Sequence, residues 1–123
     1  MIIGIGCDII EIARVKKAVA REAFRKKVFS ANEIEYCLSR GEQQYASFAA
    51  RFAAKEAVVK ALGTGFRGGS MTEIEVRNNE LGKPEIVLSG YYKELAARQG
   101  AVRCLLSLSH SKEQAVAYVV MEG

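Results

Sequence analysis

Tryptophan is absent from this chain, and its 123 residues include one proline, one histidine and three cysteines. Each scarcity removes a possibility. Cys7, Cys37 and Cys104 are odd in number and widely spaced, so they offer neither a disulfide framework nor the paired spacing of a zinc finger. Reduced thiols in a cytoplasmic protein are the expectation. A lone histidine with no Ser–His–Asp spacing around it argues against a hydrolase triad. No apolar run reaches the roughly 18 residues of a membrane span, so no membrane insertion is expected. The opening MIIGIGCDIIEI is apolar but broken by glycines and acids, with no basic segment before it, and does not read as a signal peptide. Repeats, low-complexity tracts and long linkers are also missing.

What is present is the balance of a soluble globular chain: half of the residues are hydrophobic and 26% are charged. A chain of this length fits one compact domain that hides roughly two-thirds of its unfolded surface, with no need of disulfide or structural metal. The formal net charge is +4. That mild excess suits nucleic acid, phosphorylated small molecules or an acidic protein partner, and does not choose among them.

Periodicity and punctuation predict a strand over Ile2–Glu11 and a helix over Ile12–Val28. Ser30-Ala-Asn-Glu33 is a capping-box pattern and starts a short helix running to about Arg40. A long helix is expected over Glu42–Leu62, stopped by Gly63 and Gly65. Glu73–Arg77 and Glu85–Leu88 read as strands around the turn Leu81-Gly82-Lys83-Pro84. Ser89 caps a helix ending at Gly100, and Val102–Ser109 with Gln114–Met121 closes the chain as a hairpin. The predicted class is α+β, an antiparallel sheet packed against one long helix.

The long helix carries charges where apolar residues are expected. At roughly 100° per residue, Arg51 and Lys55 fall inside the broad apolar arc of Phe52, Ala54, Val58, Val59, Ala61 and Leu62. Glu56 and Lys60 share a narrower second face. Two readings stand: snorkelling bases with an ordinary Glu56–Lys60 surface pair, or a site in which Glu56 holds a cation and the bases hold phosphate. The glycines after the helix free the backbone for close approach to a ligand, which brings Gly63 and Gly65 among the candidate contacts. They meet the negative end of the helix dipole, however, and Gly63 taken alone reads as a helix stop.

Asp8 sits inside a strongly apolar strand and needs a compensating partner there. A hard cation such as magnesium takes one or two carboxylates plus phosphate oxygens and waters, which makes Asp8 and Glu56 a natural pair if the fold, or a second subunit, unites them. The alternative is a turn or capping role. His110 lies among hydroxyls in Ser107-Leu-Ser-His-Ser111, a place for ligand contact at a strand end. Arg14, Lys17, Arg21 and Arg25 step by three or four, so one helix face is positive, either merely solvated or a docking surface for an acidic partner.

GIGCDIIEIARV, RFAAKEAVVKALGTG, NELGKP and SLSHSKEQAVAYVV occur in that order. Together they resemble holo-acyl-carrier-protein synthase, the small bacterial class of 4′-phosphopantetheinyl transferases, from Ile2 to Val120. The resemblance implies a single phosphopantetheinyl transferase domain over residues 1–123. It implies transfer of the phosphopantetheine arm of coenzyme A to a serine of apo-acyl carrier protein, serving fatty acid synthesis, with release of adenosine 3′,5′-bisphosphate. It further implies magnesium held by Asp8 and Glu56, and a homotrimer with active sites between subunits. Carrier docking would involve Arg14, with Arg21 and Arg25 beside it. On this reading Glu56 is the general base and Lys60 steadies charge on the leaving phosphate. Arg51, Lys55, Lys60, Gly63, Gly65 and His110 would hold the coenzyme. Cys7 stands where the family often has Thr or an aliphatic residue.

Two other classes compete. A small nucleic-acid-binding module would bind in a salt-sensitive way, but aromatics are not interleaved with its bases: between Arg14 and Lys27 the one aromatic is Phe24. A non-catalytic carrier-binding subunit would leave Asp8 and Glu56 without a purpose.

Overall fold

The computed structural model describes residues 1–123. Strand β1 (Ile2–Glu11) leads into helices α1 (Ile12–Val19), α2 (Glu22–Val28) and α3 (Ala31–Leu38). A single 3₁₀ turn over Gly41–Gln43 precedes the long helix α4 (Gln44–Leu62). Strands β2 (Ile74–Asn78) and β3 (Pro84–Leu88), helix α5 (Gly90–Arg98), and strands β4 (Arg103–His110) and β5 (Gln114–Glu122) complete the chain. The class is α+β, as the patterning indicates. No helix is long and apolar enough to cross a membrane.

Two expectations need correction. The strands form two antiparallel sheets: β1-β5-β4, and the β2–β3 hairpin. Strands β3 and β4 face each other across a cleft of about 390 Å³ lined by Ile86, Leu88, Ala96, Ala101 and Cys104, so their edges do not ladder. The helix predicted over Ile12–Val28 breaks at Ala20–Arg21, where Arg21 is extended. On one straight helix Phe24 and Val28 would point roughly 140–180° away from Val15 and Val19. The break lets Val15, Val19 and Val28 enter one core cluster, with Phe24 packed against it. Arg14, Arg21 and Arg25 therefore do not share one straight helix face.

Helix α4 is the axis of the molecule. Thirteen of its 19 residues are buried, because β1 and β5 cover one side while α1, α3 and β2 cover others. Its C-terminal half belongs to a core cluster with Ile74, Val76, Tyr92, Ala117, Val119 and Met121. Its N-terminal half packs Phe48, Ala49 and Ala50 against Phe29 and Cys37. The capping box at Ser30 forms as predicted, with the Glu33 backbone N–H donating to Ser30 Oγ and the Ser30 N–H donating to Glu33 Oε1.

The contact of β1 with α4 depends on glycine. A Cβ on Gly4 would collide with the carbonyl oxygen of Ala61, and one on Gly6 with that of Ala57. Small residues on both elements thus bring strand and helix into backbone contact. Side chains alternate along a strand, so Asp8 points to the same helix-facing side as Gly4 and Gly6. The odd-numbered positions turn outward, and that face of the sheet exposes Ile5 (70%), Ile9 (60%), Tyr118 (57%) and Leu105 (46%).

Candidate functional site

Asp8 and Glu56 meet where β1 lies on α4. Both line one cleft of about 510 Å³, together with Ile10, Arg14, Val15, Phe24 and Phe52. Lys60, one turn beyond Glu56, donates to Asp8 Oδ1 at 3.1 Å and to the Cys7 carbonyl at 3.0 Å. Partial burial and the neighbouring Asp8 charge push the Glu56 carboxyl above its ordinary value of 4.5, while Lys60 opposes that rise. Two carboxylates held close enough to repel form a place that favours a cation. No cluster of three or more His, Cys, Asp and Glu stands anywhere in the chain, so there is no closed metal cage. An open two-carboxylate site matches the preference of magnesium, which keeps waters and takes substrate oxygens.

Arg14 is exposed at this cleft. Arg21 is exposed and Arg25 half-buried on the next segment, and neither lines the cleft.

Arg51 and His110 meet elsewhere. They line a smaller cavity of about 170 Å³ with Tyr36, Arg40, Asn78, Pro84 and Ser109. The Arg51 guanidinium lies 4.2 Å from the centroid of the Tyr36 ring and donates from Nη2 to Asn78 Oδ1 at 3.0 Å. Its Nε is buried without a hydrogen-bond partner. A buried donor left open in a cavity with two further basic side chains fits an anion. His110 also lines a neighbouring cleft of about 840 Å³ between the start of α1 and the β4–β5 turn.

Lys55 does not behave as a ligand for coenzyme phosphate. It is fully buried, and its ammonium donates to Glu33 Oε1 at 2.7 Å, the Met71 carbonyl at 3.1 Å and the Ile74 carbonyl at 2.6 Å. Three donors are all that a lysine has. Burial pushes its pKa down, against the charge and hydrogen bond of Glu33. The mid-helix charge is thus neutralised inside the core, an outcome that helix patterning alone does not distinguish from ligand binding.

Gly63 and Gly65 form no part of either cleft. Gly63 is the left-handed C-cap of α4, at φ 76°, and its N–H bonds back to Val59 and Lys60. Its position as a helix stop is explained by that geometry alone. The other cysteines add no chemistry here: burial raises the Cys37 and Cys104 thiols to about 12.

Sequence reasoning missed Glu33, Asn78 and Tyr36, which partner Lys55 and Arg51. It also missed what Gly4 and Gly6 do. Their alternation just before Asp8 is a legible sign of close strand–helix approach. Nothing local marks Glu33 as more than a capping residue, because its second partner, the Val76 N–H at 2.9 Å, lies in a distant strand.

A family model described as the 4′-phosphopantetheinyl transferase superfamily matches residues 4–119. The chain is similar to a holo-[acyl-carrier-protein] synthase of Clostridium tetani, with 48% identity over all of this chain and 98% of that protein. Among solved structures, the synthase of Neisseria meningitidis superposes with a TM-score of 0.90 at 35% identity, over the full length of both chains. A Bacillus anthracis synthase in complex with CoA (3′,5′-ADP) gives 0.81 at 41% identity, over 99% of this chain and 97% of that one.

Proposed function

The chain belongs to the 4′-phosphopantetheinyl transferase superfamily, and from that premise we infer that it moves the 4′-phosphopantetheine arm of coenzyme A onto a serine of apo-acyl carrier protein. Adenosine 3′,5′-bisphosphate is the product released. The observation that carries this reading is the convergence of Asp8, Glu56 and Lys60 where β1 rests on α4.

In the proposed step the serine hydroxyl of the carrier attacks the β-phosphate of coenzyme A. A serine–phosphorus bond forms, the bond to the bridging pyrophosphate oxygen breaks, and the bisphosphate departs. Glu56 takes the serine proton. Lys60, exposed and one turn away, supplies a positive charge to the leaving phosphate. Asp8 and Glu56 would hold magnesium, which would supply positive charge to the pyrophosphate. Arg51 and His110 take the coenzyme's remaining phosphate in their shared cavity. Arg14, with Arg21 and Arg25 nearby, receives the acidic carrier beside the cleft.

The wider setting is part of the same proposal. The apolar outer face around Ile5, Ile9, Leu105 and Tyr118 supports a homotrimer with sites between subunits, since monomers rarely expose such a patch. Three free thiols support a cytoplasmic enzyme serving fatty acid synthesis.

The direct test mixes the protein with apo-acyl carrier protein, coenzyme A and magnesium, and weighs the carrier. A mass gain of one phosphopantetheine is expected. No gain, with both substrates shown competent, rejects the reading. Sedimentation checks the trimer separately, and a monomer at micromolar concentration would reject it.

A further inference from the structure

Glu33 and Lys55 lie outside the proposed chemistry, yet they form the most thoroughly bonded charged cluster in the molecule. Both side chains are fully buried. Glu33 Oε1 accepts from Lys55 Nζ at 2.7 Å and from the Ser30 backbone N–H at 2.9 Å, while Oε2 accepts from the Val76 N–H at 2.9 Å. Lys55 holds the carbonyls of Met71 and Ile74. One helical turn before Lys55, Arg51 holds the Asn78 side chain. Four points of the segment Met71–Asn78 are therefore fastened in order: Met71 and Ile74 to Lys55, Val76 to Glu33, and Asn78 to Arg51.

That arrangement has a consequence for the cavity beyond it. Asn78 and Pro84, paired at the mouth of the β2–β3 hairpin, form one wall of the cavity, and Arg51 forms another. Their separation is set by how β2 lies along α4. Apolar contact between β2 and α4 permits sliding, since it has little directional preference. Directional hydrogen bonds to a buried ion pair do not. We propose that Glu33 and Lys55 are positioning residues for coenzyme binding: the pair fixes the register of β2 on α4 and so holds Arg51 and Asn78 at the spacing that receives a phosphate. The proposal rests on the reading of that cavity as the coenzyme's phosphate site. It replaces direct contact by Lys55 with action through β2.

The test uses the full chain, with the wild type first shown to modify apo-acyl carrier protein, so that failure of the enzyme reading is seen on its own. The double variant Glu33→Met/Lys55→Met exchanges the ion pair for apolar groups of similar length, a change that often leaves stability intact. The expected result is a KM for coenzyme A raised about tenfold, with the KM for carrier and the kcat at saturating coenzyme within about twofold of wild type. NMR signals of the Val76 amide, the Asn78 side-chain amide and the Arg51 guanidinium should move together, and that readout needs no turnover. A folded double variant with wild-type coenzyme KM and unmoved Asn78 and Arg51 signals overturns the proposal. If the double variant does not fold, Glu33→Gln serves, since it keeps the shape but loses the acceptor for either Lys55 or Val76. It should raise the coenzyme KM about threefold, and a wild-type coenzyme KM there also overturns the proposal.

Discussion

Helix α4 presents two charged sides that obey opposite rules. Toward β2, Arg51 and Lys55 are buried, and Lys55 has every donor matched. Toward β1, Glu56 and Lys60 are partly open, and Glu56 repels Asp8 instead of pairing with it. The Lys55 arrangement is what structure requires of a buried charge, a partner for each donor. The second is held slightly unfavourable, which suits groups that must change partners when substrate arrives. Burial alone would have singled out Lys55 rather than Lys60.

The sharpest break in that comparison is Glu56→Gln. Loss of the proposed base should lower kcat by roughly 10³-fold, equivalent to about 4 kcal/mol, measured as carrier mass gained over time. Near-normal turnover would remove Glu56 from its role. Next comes the pair of lysines. Lys55→Met leaves Glu33 buried and unpaired and should cost about 3 kcal/mol in urea unfolding. Lys60→Met, at a position 54% exposed, should change stability by no more than about 0.5 kcal/mol while still depressing turnover. Equal stability losses would erase the distinction between the two sides. Gly6→Ala tests the ground beneath Asp8: the added methyl meets the Ala57 carbonyl, and a loss of about 2–3 kcal/mol is expected.

The smallest effect concerns pH. In metal-free protein the Glu56 carboxyl titrates above the ordinary 4.5, so the folded state holds that proton more tightly than the unfolded state. Ionised Glu56 therefore costs stability, fully above its raised pKa and not at all below the ordinary value. With chelator present, Glu56→Gln should stabilise the fold slightly at neutral pH. The gain should fade as pH falls through the raised pKa toward 4.5. A gain that persists at lower pH would show that ionisation is not its source.

Much of this arrangement was legible in the residue order, and the illegible parts share a cause. Strand β1, the capping box at Ser30 and the stop at Gly63 are local matters of alternation, caps and backbone freedom, and they formed where expected. The misplacement of Asp8 in an apolar strand and of charges on α4 was also visible. What decides their meaning is distant. Lys55 becomes structural only because Glu33 of α3 and two carbonyls near the start of β2 converge on it. The break at Ala20–Arg21 follows from where the core lies relative to Phe24 and Val28, not from a glycine or proline. The division into two sheets likewise depends on how far apart β3 and β4 are held.

The partner of β1 carries one more implication. Its only ladder is with β5, in which Asp8 stands opposite Ala117. During synthesis β1 therefore waits, without a neighbour to bond, until β5 has been made. Such long-range closure slows folding and leaves an apolar segment open to chaperones in the interval. It also means that a prematurely terminated chain lacking β5 keeps Asp8, Glu56 and Lys60 in its sequence but has no strand to align the first with the other two. Translation must pass β5 before Asp8 can be aligned with Glu56 and Lys60.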